Sequence, residues 1–256
     1  PFLGMSISQA TRQGEVFVHM REYTKKIVGT SGVTSTASTP SHRYLTNAKP
    51  DNCEPVDKTL FLSLLMSALF LGKRCRPEIL LPLSVLQGRS VSPDQYDMMA
   101  LLHIYKYLNG TMEKGVRFAP KKVVLHYWVD ASYASTGDCR GHNGIMATVG
   151  AHNAPFFVKS TKQKGVARSS TESELVAVDL AMQHMLWMRQ LMEFMGYPQA
   201  PAYVFQDNQS TILVCESGHS KSGRLKHMAI RYYFIKSLVD DGAVAFKYVP
   251  SRDMVA

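Results

Sequence analysis

The sequence predicts an α/β protein: a mixed five-stranded sheet with flanking helices, preceded by a small, mainly α-helical region. Three observations predict this. From Lys121 onward, β-branched and aromatic runs alternate with helix-like segments, in the order strand, strand, strand, helix, strand, helix, helix, strand. Before Lys121, apolar segments of helical period with capping residues dominate. A hydrophobic content of 45% against 19% charged residues is that of a chain with a core, which excludes a disordered tail.

The amino-terminal part opens with a short strand, a turn at Gln13-Gly14-Glu15, a strand over Val16–His19 and a helix through Glu22–Val28. Residues 29–52, rich in Ser, Thr, Gly and Pro, read as a loop or linker. Helices follow over Lys58–Leu71 and Ile79–Gln87. A third is announced by Ser92-Pro93-Asp94-Gln95, with Ser92 as N-cap, Pro93 at the first helical position and Gln95 three after the cap, and ends at Asn109-Gly110. The apolar run Leu60–Leu71 is too short to span a bilayer and meets Lys73, Arg74 and Arg76, so it reads as a core helix. The pieces after Lys121 are strands over Val123–Val129, Gly144–Val149, Pro155–Lys159, Ala202–Gln206 and Ala243–Val249. Helices cover Thr171–Met195, Ser210–Glu216 and Lys226–Val239.

Three carboxylates stand in awkward places on these elements. Asp130 ends the strand VVLHYWV, Asp207 ends AYVFQ, and Glu174 lies near the start of the long helix. Burying a carboxylate is costly unless a cation or donor meets it. Helical periodicity sets Glu174 on the apolar stripe with Val178, Ala181, Met185, Met188, Met192 and Met195. It sets Glu172 on the opposite, water-facing side with Asp179, Gln183 and Gln190. Three carboxylates converging within ~4 Å would repel by up to ~4 kcal/mol per pair at an effective dielectric near 20. A divalent cation removes that penalty, and hard oxygen donors without recurring His or Cys point to Mg²⁺ or Mn²⁺. Two such ions can activate water and stabilise the leaving oxygen in phosphodiester hydrolysis.

The rest of the composition fits a polyanionic partner. The formal charge is +9. Lys159–Ser170 carries Lys159, Lys162, Lys164 and Arg168 without an acid. Ser217–Val239 carries Lys221, Arg224, Lys226, Arg231 and Lys236, again without one. Both border the carboxylates, where they could meet phosphates. Ser132, Ser169, Ser170, Asn208 and Ser210 could add neutral hydrogen bonds, although Ser and Asn also cap helices. His219 and His227 read as surface histidines from spacing alone. Four cysteines, Cys53, Cys75, Cys139 and Cys215, form no CxxC, which excludes a zinc ribbon or disulfide framework and fits a reducing compartment. The chain opens on PFLGMSISQ without an initiator Met, so we expect a piece of a longer protein.

The blocks VDASYAS, GDCRGHNGIMATVG, KSTKQKGVARSSTESELVAV, QDNQSTILV and GRLKHMAIRYYFIKSLVDDGAVAFKYVPSRDMVA closely resemble the ribonuclease H domain of copia-type LTR retrotransposon Pol polyproteins. Upstream, FLGMSI, HMREYTKKIV, LFLGKRCRPEI and YKYLNGT resemble the end of the reverse transcriptase and its connection region. The resemblance implies residues 1–45 as reverse transcriptase tail and linker, 46–120 as connection region and 121–256 as ribonuclease H domain. It implies a ribonuclease H fold and cleavage of RNA in RNA–DNA hybrids with two Mg²⁺ ions. Asp130, Glu174 and Asp207 would be shared ligands, with Asp130 bridging the ions and His227 among the nucleic-acid contacts. The remainder of the reverse transcriptase would be a partner, and the setting cytoplasmic, in retrotransposon particles. The polymerase aspartates would precede Pro1, so polymerisation is not expected of this chain. Two departures stand out: the family's fourth carboxylate would follow Ala256, and Met228-Ala229 replace an expected acid. A transposase core would order its carboxylates Asp, Asp, Glu, unlike the order here. A catalytically inactive hybrid-binding or tether module is the alternative from another class.

Overall fold

The computed structural model describes residues 2–9, 14–45, 53–119, 121–135, 137–151, 153–219 and 227–256, with Tyr44 described in its backbone only. The expected residues Lys221, Arg224 and Lys226 therefore lie outside the described residues. The chain divides into two compact units, Pro1–Ala119 and Pro120–Ala256.

Among its described residues, the first unit combines four α-helices with a small antiparallel sheet. Strands β1 (Ser6–Gln9) and β2 (Val16–His19) pair, and helix α1 covers Arg21–Ser31. Helix α2 (Lys58–Cys75) begins at Asp57, whose carboxylate accepts the Thr59 and Leu60 N–H groups. It runs past the expected Leu71 to Cys75, and Gly72 lets this last turn lie close to the next segment. A Cβ at Gly72 would come within 2.9 Å of the Leu80 side chain. Helix α3 spans Leu80–Gly88 and α4 spans Gln95–Gly110.

The N-cap of α4 is Asp94, not the Ser92 read from sequence. The Asp94 carboxylate accepts the Tyr96 and Asp97 N–H groups, and the Asp97 carboxylate reaches back to the Asp94 N–H. That reciprocal pair of bonds outcompetes a single hydroxyl. Strand β3 (Val116–Phe118) has no sequence counterpart in our reading. Its three residues join the sheet through β2, giving the order β1-β2-β3. Between α2 and α3, Arg76 is fully buried and ties Glu78 (2.7 Å) to the Thr111 carbonyl (3.0 Å) and hydroxyl (2.6 Å). Among the described residues, no helix is long and apolar enough to cross a membrane.

The second unit carries the five-stranded mixed sheet expected from the sequence. Its strands are β4 (Leu125–Ser132), β5 (His142–Val149), β6 (Pro155–Lys162), β7 (Ala202–Gln206) and β8 (Val244–Tyr248), in the order β6-β5-β4-β7-β8. β4, β5 and β6 pair antiparallel, while β7 and β8 add parallel to β4. Helices α5 (Ser170–Phe194), α6 (Gln209–Ser217) and α7 (Ala229–Asp240) complete it. Tyr127, Val129, Ile145 and Val204 from the sheet share one core with Leu175, Val178, Met182 and Met185 of α5 and Ile235 of α7. Most of the expected Met stripe is buried, though Met195 is 51% exposed beyond the helix end.

β4 runs three residues past Val129 because β5 keeps pairing with it. Asp130 lies opposite Gly144, Ala131 opposite Asn143 and Ser132 opposite His142. Asp130 is thus inside a strand rather than after one.

Candidate metal centre and its surroundings

Parallel pairing sets the first two carboxylates side by side. Trp128 of β4 faces Phe205 of β7 in register, and two residues further on are Asp130 and Asp207. Glu174 arrives from the first turns of α5, which packs on β4. One oxygen from each of Asp130, Glu174 and Asp207 lies within 4.8 Å of the other two.

Each carboxylate has an oxygen held by a donor. Asp130 Oδ1 accepts the Ala131 N–H at 2.9 Å, and Asp207 Oδ2 accepts the Ser251 hydroxyl at 2.6 Å. Glu174 Oε2 accepts from the side-chain amide of Gln206 at 3.1 Å. Burial raises the Asp130 carboxyl above its ordinary range, helped by the charge of Asp207. Burial and then the charge of Asp130 push Glu174 up to about 8, against the lowering pull of the Gln206 bond. A cluster of hard oxygen donors that resists carrying its own negative charge suits a divalent cation.

Glu172 contradicts the sequence reading. It is 6% exposed rather than water-facing. Its carboxylate accepts the Arg168 N–H at 3.0 Å and meets His227 Nε2 at 2.8 Å. The reason is α7, with His227 just before it, which lies against the polar side of α5; Arg231 reaches Asp179 in the same way at 3.3 Å. Periodicity within one helix cannot register a second helix laid over it. His227 is exposed, as the sequence reading expected of a surface histidine, and it partners Glu172 from that position.

Besides His227, the expected nucleic-acid contacts among the described residues fall into three groups. Ser169 and Asn208 cap helices, accepting the N–H groups of Glu172 and Thr211. Lys162 pairs with Asp138 at 2.8 Å, and Ser132 bonds to Ser135. Lys164, Arg168, Ser170 and Ser210 are exposed on elements next to the carboxylates. Sequence reasoning missed Gln206 and Ser251. Gln206 had a signal: Ala202, Val204 and Gln206 share one strand phase, so an amide sits where an apolar residue belongs.

No family model matches the chain. It is 33% identical over 184 residues to the retrovirus-related Pol polyprotein from transposon RE1 of Arabidopsis thaliana, covering 71% of this chain. Its homologues are retrovirus-related Pol polyproteins of plant transposons. The chain spans about 12% of the length of the Arabidopsis thaliana RE1 and RE2 polyproteins it matches. Among solved structures, the foamy viral protease-reverse transcriptase in complex with dsDNA aligns over 98% of this chain and 44% of its own. The TM-score there is 0.53 at 17% identity. LC11-RNase H1 in complex with RNA/DNA hybrid aligns over 51% of this chain and 88% of its own, with a TM-score of 0.39 at 11% identity. The second unit has the ribonuclease H-like fold that the sequence motifs implied.

Proposed function

We propose that the second unit is a metal-dependent endonuclease of the ribonuclease H type, hydrolysing RNA in RNA–DNA hybrids during retrotransposon reverse transcription. The observation that carries this is the convergence of Asp130, Glu174 and Asp207 within 4.8 Å, from a strand, a helix and a strand end far apart in sequence. These residues would hold two Mg²⁺ ions, with Mn²⁺ as a substitute. Such ions, when bound, supply an activated water and offset the charge on the leaving oxygen. The protein's own part is to fix the three ligands. Ala131, Gln206 and Ser251 hold one oxygen of each by hydrogen bonds.

Substrate binding in this reading falls to the exposed Lys164, Arg168, Ser170 and Ser210, with Ser132, Lys162, Ser169, Asn208, Arg224, Lys226 and His227 as further contacts. Hybrids are met mainly through backbone shape and 2′-hydroxyls, so no base code is needed. The remainder of the reverse transcriptase would be the partner that presents the hybrid. The deciding experiment is cleavage of a labelled RNA strand in an RNA–DNA hybrid, with Mg²⁺ and with EDTA, using Asp207→Asn as control. Metal-dependent cleavage lost in the variant supports the nuclease. Hybrid binding without cleavage, indifferent to Mg²⁺, replaces it with an inactive tether.

A further inference from the structure

We infer that Gln206 is a positioning residue for the carboxylate centre, its side-chain amide locking Glu174 to the turn that carries Asp207. The inference rests on the proposal that these carboxylates hold divalent ions.

Gln206 is 0% exposed. A buried amide is tolerated when its donors and acceptors are satisfied, and here both ends are engaged. Its Oε1 accepts two backbone N–H groups, from Asp207 at 2.8 Å and Asn208 at 3.0 Å. Its Nε2 donates to Glu174 Oε2 at 3.1 Å. The orientation of the amide is therefore dictated. A flipped amide would set its NH₂ group against two N–H donors and leave Glu174 facing an acceptor.

The two ends also do different work. The turn at Asp207-Asn208 needs only the Oε1 acceptor. The Nε2 bond adds nothing to the turn and instead couples it to the first turns of α5. A swing of Glu174 towards solvent, or a shift along the helix axis, would break this bond and leave a buried amide N–H without its acceptor. One side chain thus ties together two ligands borne on separate elements, 33 residues apart by their numbers. Partners that orient a ligand in this way typically change metal affinity by about 10–100-fold when removed.

The test is Mn²⁺ binding to the whole chain without nucleic acid, with free ion measured by its EPR signal. The parent is compared with Gln206→Met, which keeps the volume and loses all three bonds. The inference expects a folded variant, judged by circular dichroism, whose Mn²⁺ affinity falls about 10-fold or more. Its hybrid cleavage should then recover at raised Mg²⁺. A folded variant with affinity within about twofold of the parent overturns the inference. A parent that binds no Mn²⁺ instead overturns the metal-centre reading, so the two failures are distinct. Should Gln206→Met not fold, the Gln206 side-chain NH₂ resonances of the parent decide. They should shift on Mg²⁺ titration with the same midpoint as the Glu174 amide; NH₂ signals that stay put while that amide moves refute the coupling.

Discussion

Replacing Glu174 by Gln should stabilise the metal-free protein at alkaline pH and leave it unchanged in acid. Burial and the nearby Asp130 raise the Glu174 carboxyl from an ordinary 4.5 to about 8. In the unfolded chain Glu174 loses its proton near pH 4.5, while the folded chain keeps it until about pH 8. The folded state therefore loses stability as pH rises through that window and is at its weakest above it. At 1.36 kcal/mol for each tenfold change in proton affinity, the full penalty is on the order of 5 kcal/mol. Relaxation around the site should leave about 3 kcal/mol, or roughly 10 °C in Tm for a unit of this size. Gln at 174 can still accept from Gln206, so the comparison isolates the charge. The assay is convenient because both tryptophans, Trp128 and Trp187, lie in the second unit. Fluorescence-detected melts in EDTA from pH 4.5 to 8.5 should show the parent declining and the variant holding steadier. The raised carboxyls of Asp130 and Asp179 are common to both proteins and largely cancel in the difference. Parallel pH profiles for parent and variant would refute the electrostatic account of the site.

Three further outcomes follow from named contacts. Asp207→Asn should retain hybrid binding by anisotropy and lose cleavage by more than the roughly 10–100-fold expected of an outer partner, since it removes a ligand itself. Glu172→Ala strips a partner from both the Arg168 N–H and His227. Denaturant titration followed by tryptophan fluorescence should register a loss of about 1–3 kcal/mol, and a neutral result would return Glu172 to the solvent-facing role read from sequence. Arg76→Met, in the first unit, abandons Glu78 and the Thr111 carbonyl and should cost about 3 kcal/mol. Far-UV circular dichroism checks this, and an unchanged melt would contradict a structural role for the buried guanidinium.

How much of this could be read from sequence depends on how local each signal was. Strand β7 matched its expected bounds, because a short β-branched and aromatic run between Pro201 and Asp207 has few alternatives. Glu174 was separable from Glu172 because the apolar stripe of α5 is long, so its phase is well defined. What escaped was set by partners distant in sequence. β4 and β6 extend as far as β5 pairs with them, not as far as their own apolar runs. β3 is a strand because β2 lies beside it. Glu172 is buried because α7 comes back over α5, and no periodicity in residues 170–194 encodes that return. The Ser251 hydroxyl on Asp207 is likewise a contact across 44 positions that no local pattern signals.

The way β4 and β7 come together also bears on how long the folded state survives. Their parallel pairing closes a chain segment containing a hairpin pair and the whole of α5, and only after that closure are Asp130, Glu174 and Asp207 neighbours. Like charges that meet last burden the native state more than the barrier before it. Rate theory then assigns the effect to escape rather than entry: relieving the repulsion slows unfolding and leaves refolding nearly untouched. Stopped-flow chevrons with and without Mg²⁺ should accordingly differ in their unfolding limbs. A shift of the refolding limb would mean that the carboxylates already converge at the barrier. On this account a cation at the centre acts as a kinetic latch, lengthening the lifetime of the folded protein without hastening its formation.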